Sequence, residues 1–552
     1  MKNFTISVLT GLLALITGCN HSFHEYYVST AGDDAAAGTS PAKAWKSIAR
    51  VNATDFRPGD KILFEGNAVF EGSLQFDMDD SGTPLMPVTV TSYGEGRATI
   101  SSGSETGLLA INTSCFVVDN LNFKGAGPDV ENKSCGIHFY TDLDSVKPEH
   151  IRIHNVEITG YRWDGISIEG DRQKGNSGFR DVRITNADVH DNGDKGIAVG
   201  GPMPAGEWAN KDIYIGHCRA YNIRGITGQS GHSGNGIIVS SLDSGLIEYC
   251  VAFNNGENSD CPTSGGPIGI WAWDSRNVVI QYCEAYENKT GNRADGGGFD
   301  LDGGCVNCIM QYNYSHDNHG AGYGIYQYYG AREFSGNVIR YNISQNDGTN
   351  NRHGGINLWA TNSSGGMKDT KIYNNTIFVS EVTKGAAIEE FPDQEGKSFI
   401  YGTEVYNNIF IATGGKNLIR IPCPNDGWTF RNNCYYTYGG DVRILWGDKT
   451  YNSLDEWCTA TGQEKLDENL TGFDTDPGLE DPGKGGTIGD AHKLATLKAY
   501  MLKQTSPLVD KGLSIRSASG TDSGMRDFFG TPTPVGDKFD IGACELQMGQ
   551  NK

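Results

Sequence analysis

From residue 116 onward, apolar and polar residues alternate in short bursts of four to eight positions. One burst recurs eleven times: FVVDNLNF (116), IRIHNVEI (151), VRITNADV (182), IYIGHCRAY (213), LIEYCVAF (246), VVIQYCEAY (278), CIMQYNYS (308), VIRYNIS (338), KIYNNTIF (371), EVYNNIFI (404) and TFRNNCYY (429). Between these lies a second burst, a glycine followed by alternating apolar residues, as in DGISIE (164), NGIIVS (235), IGIWAW (268), GGFDLD (297) and GGINLW (354). Alternation with period two predicts strands. The repeats contain no segment with helical spacing, which excludes helical and leucine-rich arrays.

Two or three short strands per repeat, stacked repeat on repeat, predict a β-solenoid. The first burst ends in Asn or Cys, at 120, 155, 186, 218, 250, 283, 313, 342, 375, 408 and 433. Stacked about 4.8 Å apart, identical Asn side chains form a hydrogen-bonded ladder, and the three Cys continue the column inside as small core residues. In the second burst, Ile270 and Ala272, Phe299 and Leu301, and Ile356 and Leu358 point inward. The residues between them then form an outward stripe that includes Trp271, Trp273, Asp300, Asp302, Tyr326, Asn357, Trp359 and Glu389.

This pattern resembles the right-handed parallel β-helix proteins of the pectate-lyase-like class over roughly residues 26–545. The segment YYVSTAGDDAAAGTSPAKAWKSIARVN (26–52) resembles the capping segment of such proteins, and SPLVDKG (506) to DIGACE (540) their closing segment. The resemblance implies an all-β, single-stranded right-handed parallel β-helix of about 11 coils with an N-terminal capping helix. Ser40 and Pro41 suit the start of that helix, with Ala42, Trp45, Ile48 and Ala49 on one face. The expected organisation is a cap and first coils over 26–115, repeats over 116–440, and last coils with a closing segment over 441–552.

Composition adds three points. Glycine makes up 75 of 552 residues without a collagen period, so it belongs to turns and close approaches. The net charge of −22 argues against a nucleic-acid partner. Lys2 and the apolar run Phe4–Ile16 read as an export signal over residues 1–18, too short to span a bilayer. Leu15 to Cys19 resembles the lipobox of bacterial lipoproteins, which implies a lipid on Cys19, an envelope location and a membrane anchored through that lipid. Lys2 is the only charged residue removed with the signal, so the chain from Cys19 carries −23.

The candidate chemistry centres on RADGGGFDLDGG (293–304). Asp300 and Asp302 share one strand face with Cα atoms about 6.6 Å apart, and paired carboxylates perform acid/base work at glycosidic bonds. Close like charges also raise one pKa, as a general acid requires. Trp271, Trp273, Tyr326, Asn357, Trp359 and His353 are candidate substrate contacts, with flat rings suited to the apolar faces of sugars. Asp274, Asp295 and Asp317 on loops, and His316 and His319, remain open as further participants. Calcium held by the aspartates with Asp295 is a second reading of the segment, although catalysis by the pair requires no cofactor.

GGGFDLDGG is also similar to the GNGFKLGG segment of family 9 polysaccharide lyases, with Asp300 where that family has its Lys base. The family's calcium-binding aspartate cluster is not visible in the preceding GIWAW coil, and the NTDG and GHG motifs of polygalacturonases are absent from the sequence. The expected function is therefore an exported polysaccharide-degrading glycoside hydrolase. The alternatives are a lyase on uronate-containing glycan and a non-catalytic glycan-binding lipoprotein.

Overall fold

The computed structural model describes residues 23–262, 265–292, 294–514 and 524–547; the export leader and Cys19 lie outside them. Thirty-seven strands join into one continuous sheet wound as a solenoid of about twelve coils, close to the eleven expected. Rungs at Glu25–Val28, Lys61–Glu65 and Val88–Tyr93 stack in series before the first repeat, at Phe116. Neighbouring rungs pair parallel, and the sheet ends in an antiparallel hairpin, Ile444–Trp446 with Lys449–Tyr451.

The interior is a continuous aliphatic and aromatic core drawn from alternate residues of every strand. The glycines that lead the second burst stack on one another because there is no room for more. A Cβ on Gly196 would lie 2.5 Å from the Gly236 carbonyl oxygen, and one on Gly236 would lie 2.4 Å from that of Gly269. Much of the glycine excess is thus required by the approach of one coil to the next.

The Asn/Cys column is present but starts later than the sequence suggests. Asn313, Asn342, Asn375, Asn408 and Asn433 are fully buried, and each donates from Nδ2 to the next member of the column, ending on Glu464. Cys218, Cys250 and Cys283 continue it inward as buried free thiols. Asn120, Asn155 and Asn186 do not belong to it. Their φ values are 53°, 52° and 51°, the left-handed conformation that Asn tolerates at a turn. The inward position in those coils falls one residue later, at Leu121, Val156 and Ala187. Asn255, Asn288 and Asn318 form a second ladder that ends on Asp347.

The N-terminal cap also differs from expectation. Pro41–Lys43 is a single 3-10 turn, after which Trp45 pairs with Val28 in an extended bridge and breaks any helix there. The capping helix α1 is Ile48–Asn52, opened by Ser47, whose hydroxyl accepts from the Arg50 amide. Trp45 and Ile48 are buried as expected, but Ala42 and Ala49 are exposed. At the far end, α2 (Leu454–Thr461) places Trp457 and Cys458 against the last coils. Leu479, Leu494, Tyr500, Leu508, Phe528 and Ile541 then pack the C-terminal segment along the solenoid's flank, against Tyr314, Ile343, Phe378 and Ile409.

Candidate active site

Six strands carry the outward stripe: β1 (Ile268–Gln281), β2 (Gly297–Leu301), β3 (Tyr323–Gln327), β4 (Ile356–Ala360), β5 (Ile388–Phe391) and β6 (Ile419–Ile421). Their register aligns Trp271, Asp300, Gly324, Asn357, Glu389 and Arg420 in one column. Tyr326, Trp359 and Phe391 align two residues further along β3, β4 and β5. Gly324 makes room for its neighbours in the first column: a Cβ there would lie 3.0 Å from Asp300 Oδ1 and 2.7 Å from the Tyr326 ring, which occupy that space.

Beside this column opens a cavity of about 690 Å³, within the range of small-ligand sites. Asp295, Asp300 and Asp302 line it with Trp271, Trp273, Tyr326, His353, Asn357 and Trp359. All eight predicted site residues therefore meet in one place. Trp271 differs from its expected role. It is 4% exposed, donates from Nε1 to Asn235 Oδ1 at 3.0 Å and lies edge-on to His232, so it is a wall rather than an open platform. The segment around His232 covers it, which strand alternation cannot reveal. Trp273 and Trp359 remain partly exposed.

The loop candidates separate clearly. Asp295 joins the cavity, held by the Gly266 amide, which donates to its Oδ2 at 2.6 Å, and by Asn351 Nδ2, which donates to its carbonyl at 2.6 Å. Asp274 is instead committed to Arg332 through two hydrogen bonds of 2.6 Å. His316 is buried between Glu284 and Asp317 on another face, and His319 Nδ1 accepts from the Thr290 amide. Sequence reasoning missed His232, Tyr328, Tyr329, Phe391 and Gln394, which come from loops or from a strand end and carry no motif.

Burial is the main electrostatic influence on the three aspartates. It pushes Asp295 up to about 6 and Asp302 up to about 7, each with a neighbouring carboxylate or amide modifying the effect. Asp300 is fully enclosed, its Oδ1 lacks a hydrogen bond, and burial with the charges of Asp302 and Asp295 holds it well above the carboxylate range. Asp302 Oδ1 accepts from the Gly303 amide at 2.7 Å, which favours its ionised form. Carboxylates so close, with different affinities for protons, can hold one proton while another is ionised. No Lys or Arg lines the cavity among the described residues. Nor, among them, is any group of three or more His, Cys, Asp or Glu placed to hold a metal ion.

A family model described as "Right handed beta helix region" matches residues 135–342 and 259–377. The fold is a right-handed parallel β-helix. The β-helix is also similar to a lacto-N-biosidase of Bifidobacterium longum subsp. longum, 28% identical over 509 aligned positions that cover 75% of this chain. The match spans only 30% of that relative's length. Two crystal structures of a GH136 lacto-N-biosidase from Eubacterium ramulus share the fold, each with TM-score 0.50 over 76% of this β-helix and 68% of the neighbour, at 20% and 19% identity.

Proposed function

We propose that this β-helix is a glycoside hydrolase that cleaves an uncharged glycan in the cavity over β2. The observation that carries the reading is the set of three carboxylates, each raised by burial, in an aromatic cavity with no cation among its described lining residues. Asp302, at about 7, is suited to protonate the leaving oxygen near neutral pH. Asp295, which the Gly266 amide holds by its Oδ2, activates water or attacks the anomeric carbon. Asp300 lines the cavity beside them, and burial with the charges of Asp302 and Asp295 suppresses its ionisation. The similarity to lacto-N-biosidases supports a hydrolase and makes the oligosaccharides cleaved by that activity the first to assay.

The lyase alternative is less well supported. A uronate carboxyl group needs a cation beside it and a base strong enough to take the α proton. The lining offers carboxylates instead, and the Tyr326 phenol is buried and held far above its ordinary range. Hydrolysis by these residues needs no cofactor. The lipobox at Cys19 supports an exported protein anchored to the envelope membrane. The reading is tested by incubating the purified protein with neutral and uronate glycans, with and without chelator, and identifying products by mass spectrometry. Release of saturated sugars supports it, whereas unsaturated products lost on chelation would establish the lyase.

A further inference from the structure

Beyond the aspartates, the same column carries polar groups that the fold leaves idle. Asn357 is fully buried, yet neither its Oδ1 nor its Nδ2 has a hydrogen-bond partner, and the residue lines the cavity. His353 Nδ1, set between Tyr326 and Phe391 at ring distances of 6.4 and 5.2 Å, is also unpartnered. Glu389 follows Asn357 in the column, enclosed, without a hydrogen bond of ordinary geometry and with Arg420 at 3.8 Å behind it. The buried Asn residues of the ladder from 313 to 433 differ, each donating from Nδ2 to the next coil. Buried amides are normally paired, so a group left open at a cavity wall marks the place of a ligand's own polar atoms.

We propose that Asn357, flanked by His353 and backed by Glu389, is the specificity-determining contact for hydroxyl groups of a second, uncharged sugar ring, next to the ring whose bond the aspartates cleave. Asn357 stands two rungs from Asp300, about 9.6 Å at the usual spacing. An amide offers both a donor and an acceptor, matching vicinal hydroxyls, and Tyr326, Trp359 and Phe391 supply apolar faces beside it. Burial pushes Glu389 up to about 8, against the charges of Arg420 and Arg352, which lower it. This proposal rests on the hydrolase reading and assigns its neighbouring subsite.

The test is a cycle between protein and substrate. An oligosaccharide that the full chain cleaves, its series of single-deoxy analogues, and an aryl glycoside lacking the second ring are assayed with the wild type and Asn357→Ala. The expected result is a roughly 100-fold loss of kcat/KM for Asn357→Ala on the parent glycan, but less than about threefold on one deoxy analogue and on the aryl glycoside. Equal losses on every substrate, or no loss, would overturn the proposal, with ordered water then the partner of Asn357. Thermal unfolding checks the fold of Asn357→Ala, and Asn357→Ser replaces it if the alanine variant does not fold. If the wild type cleaves no glycan, the hydrolase reading fails separately. Calorimetric binding of the same panel to Asp302→Asn, with and without Asn357→Ala, then decides the subsite. A weakening of about tenfold supports it, while unchanged or absent binding overturns it.

Discussion

Replacing Asp302 by Asn should remove activity and stabilise the protein at once. The native carboxyl is raised from 3.8 to about 7, so the folded state holds a proton that the unfolded chain releases at lower pH. The native state therefore binds more protons between these values, and stability declines as pH rises through that window. The penalty is absent below about pH 4, grows towards pH 7 and is constant above, at most about 4 kcal/mol at 1.36 kcal/mol per pKa unit. Asn can still accept from the Gly303 amide but carries no charge, so it escapes the penalty. Calorimetry should find Asp302→Asn melting a few degrees above the wild type at pH 8 and at the same temperature near pH 4. Hydrolysis should fall by about 10² to 10⁴ if Asp302 is the proton donor. A variant that kept most of its activity, or that melted lower at pH 8, would refute the assignment of a strained functional carboxyl.

The cluster should give a bell-shaped dependence of kcat/KM on pH, with its acid limb near 6 because one carboxylate must ionise while another keeps its proton; a flat profile from pH 5 to 8 would count against it. Asn375→Ala should destabilise the solenoid by roughly 2–4 kcal/mol, because it opens a gap and strands the Asn342 amide that donates to Asn375 Oδ1. Denaturant unfolding measures that loss, and the remaining folded protein should keep its kcat. Trp359→Ala should raise KM about tenfold with little change in melting temperature, since the ring is only partly buried. Trp271→Ala should instead lower the melting temperature, because it empties a buried wall and removes the donor to Asn235.

The solenoid and the site's place on it were legible because both are periodic. Alternation at GFDLD and GINLW correctly placed Asp300 and Asn357 on one outward column, and glycine leading each burst marked where coils touch. Two things were hidden, for different reasons. Asn serves both as a ladder residue and as a left-handed turn residue, so Asn120, Asn155 and Asn186 look like members of a column that begins later. Alternation also says which way a side chain leaves the sheet and nothing of what covers it. Trp271 is outward in register yet buried under the His232 segment, and Asp295 reaches the cavity through loop contacts at Gly266 and Asn351.

The active cavity depends on an omission as much as on its carboxylates. Along a stacked column each side chain normally rests on the one in the next coil, about 4.8 Å away, and the aliphatic columns inside the solenoid are filled in this way. At Gly324 the outward column has no side chain of its own, and Asp300 with the Tyr326 ring takes the space that a Cβ would need, one coil before Asn357. The ladders and glycine contacts hold the backbone in register along the cavity wall, so the wall cannot shift to satisfy the idle groups. A carboxyl held far above its ordinary range and an amide with no partner would each be selected against in a core. One coil to either side of Gly324, they line one cavity whose unmet polar atoms match a sugar's hydroxyls.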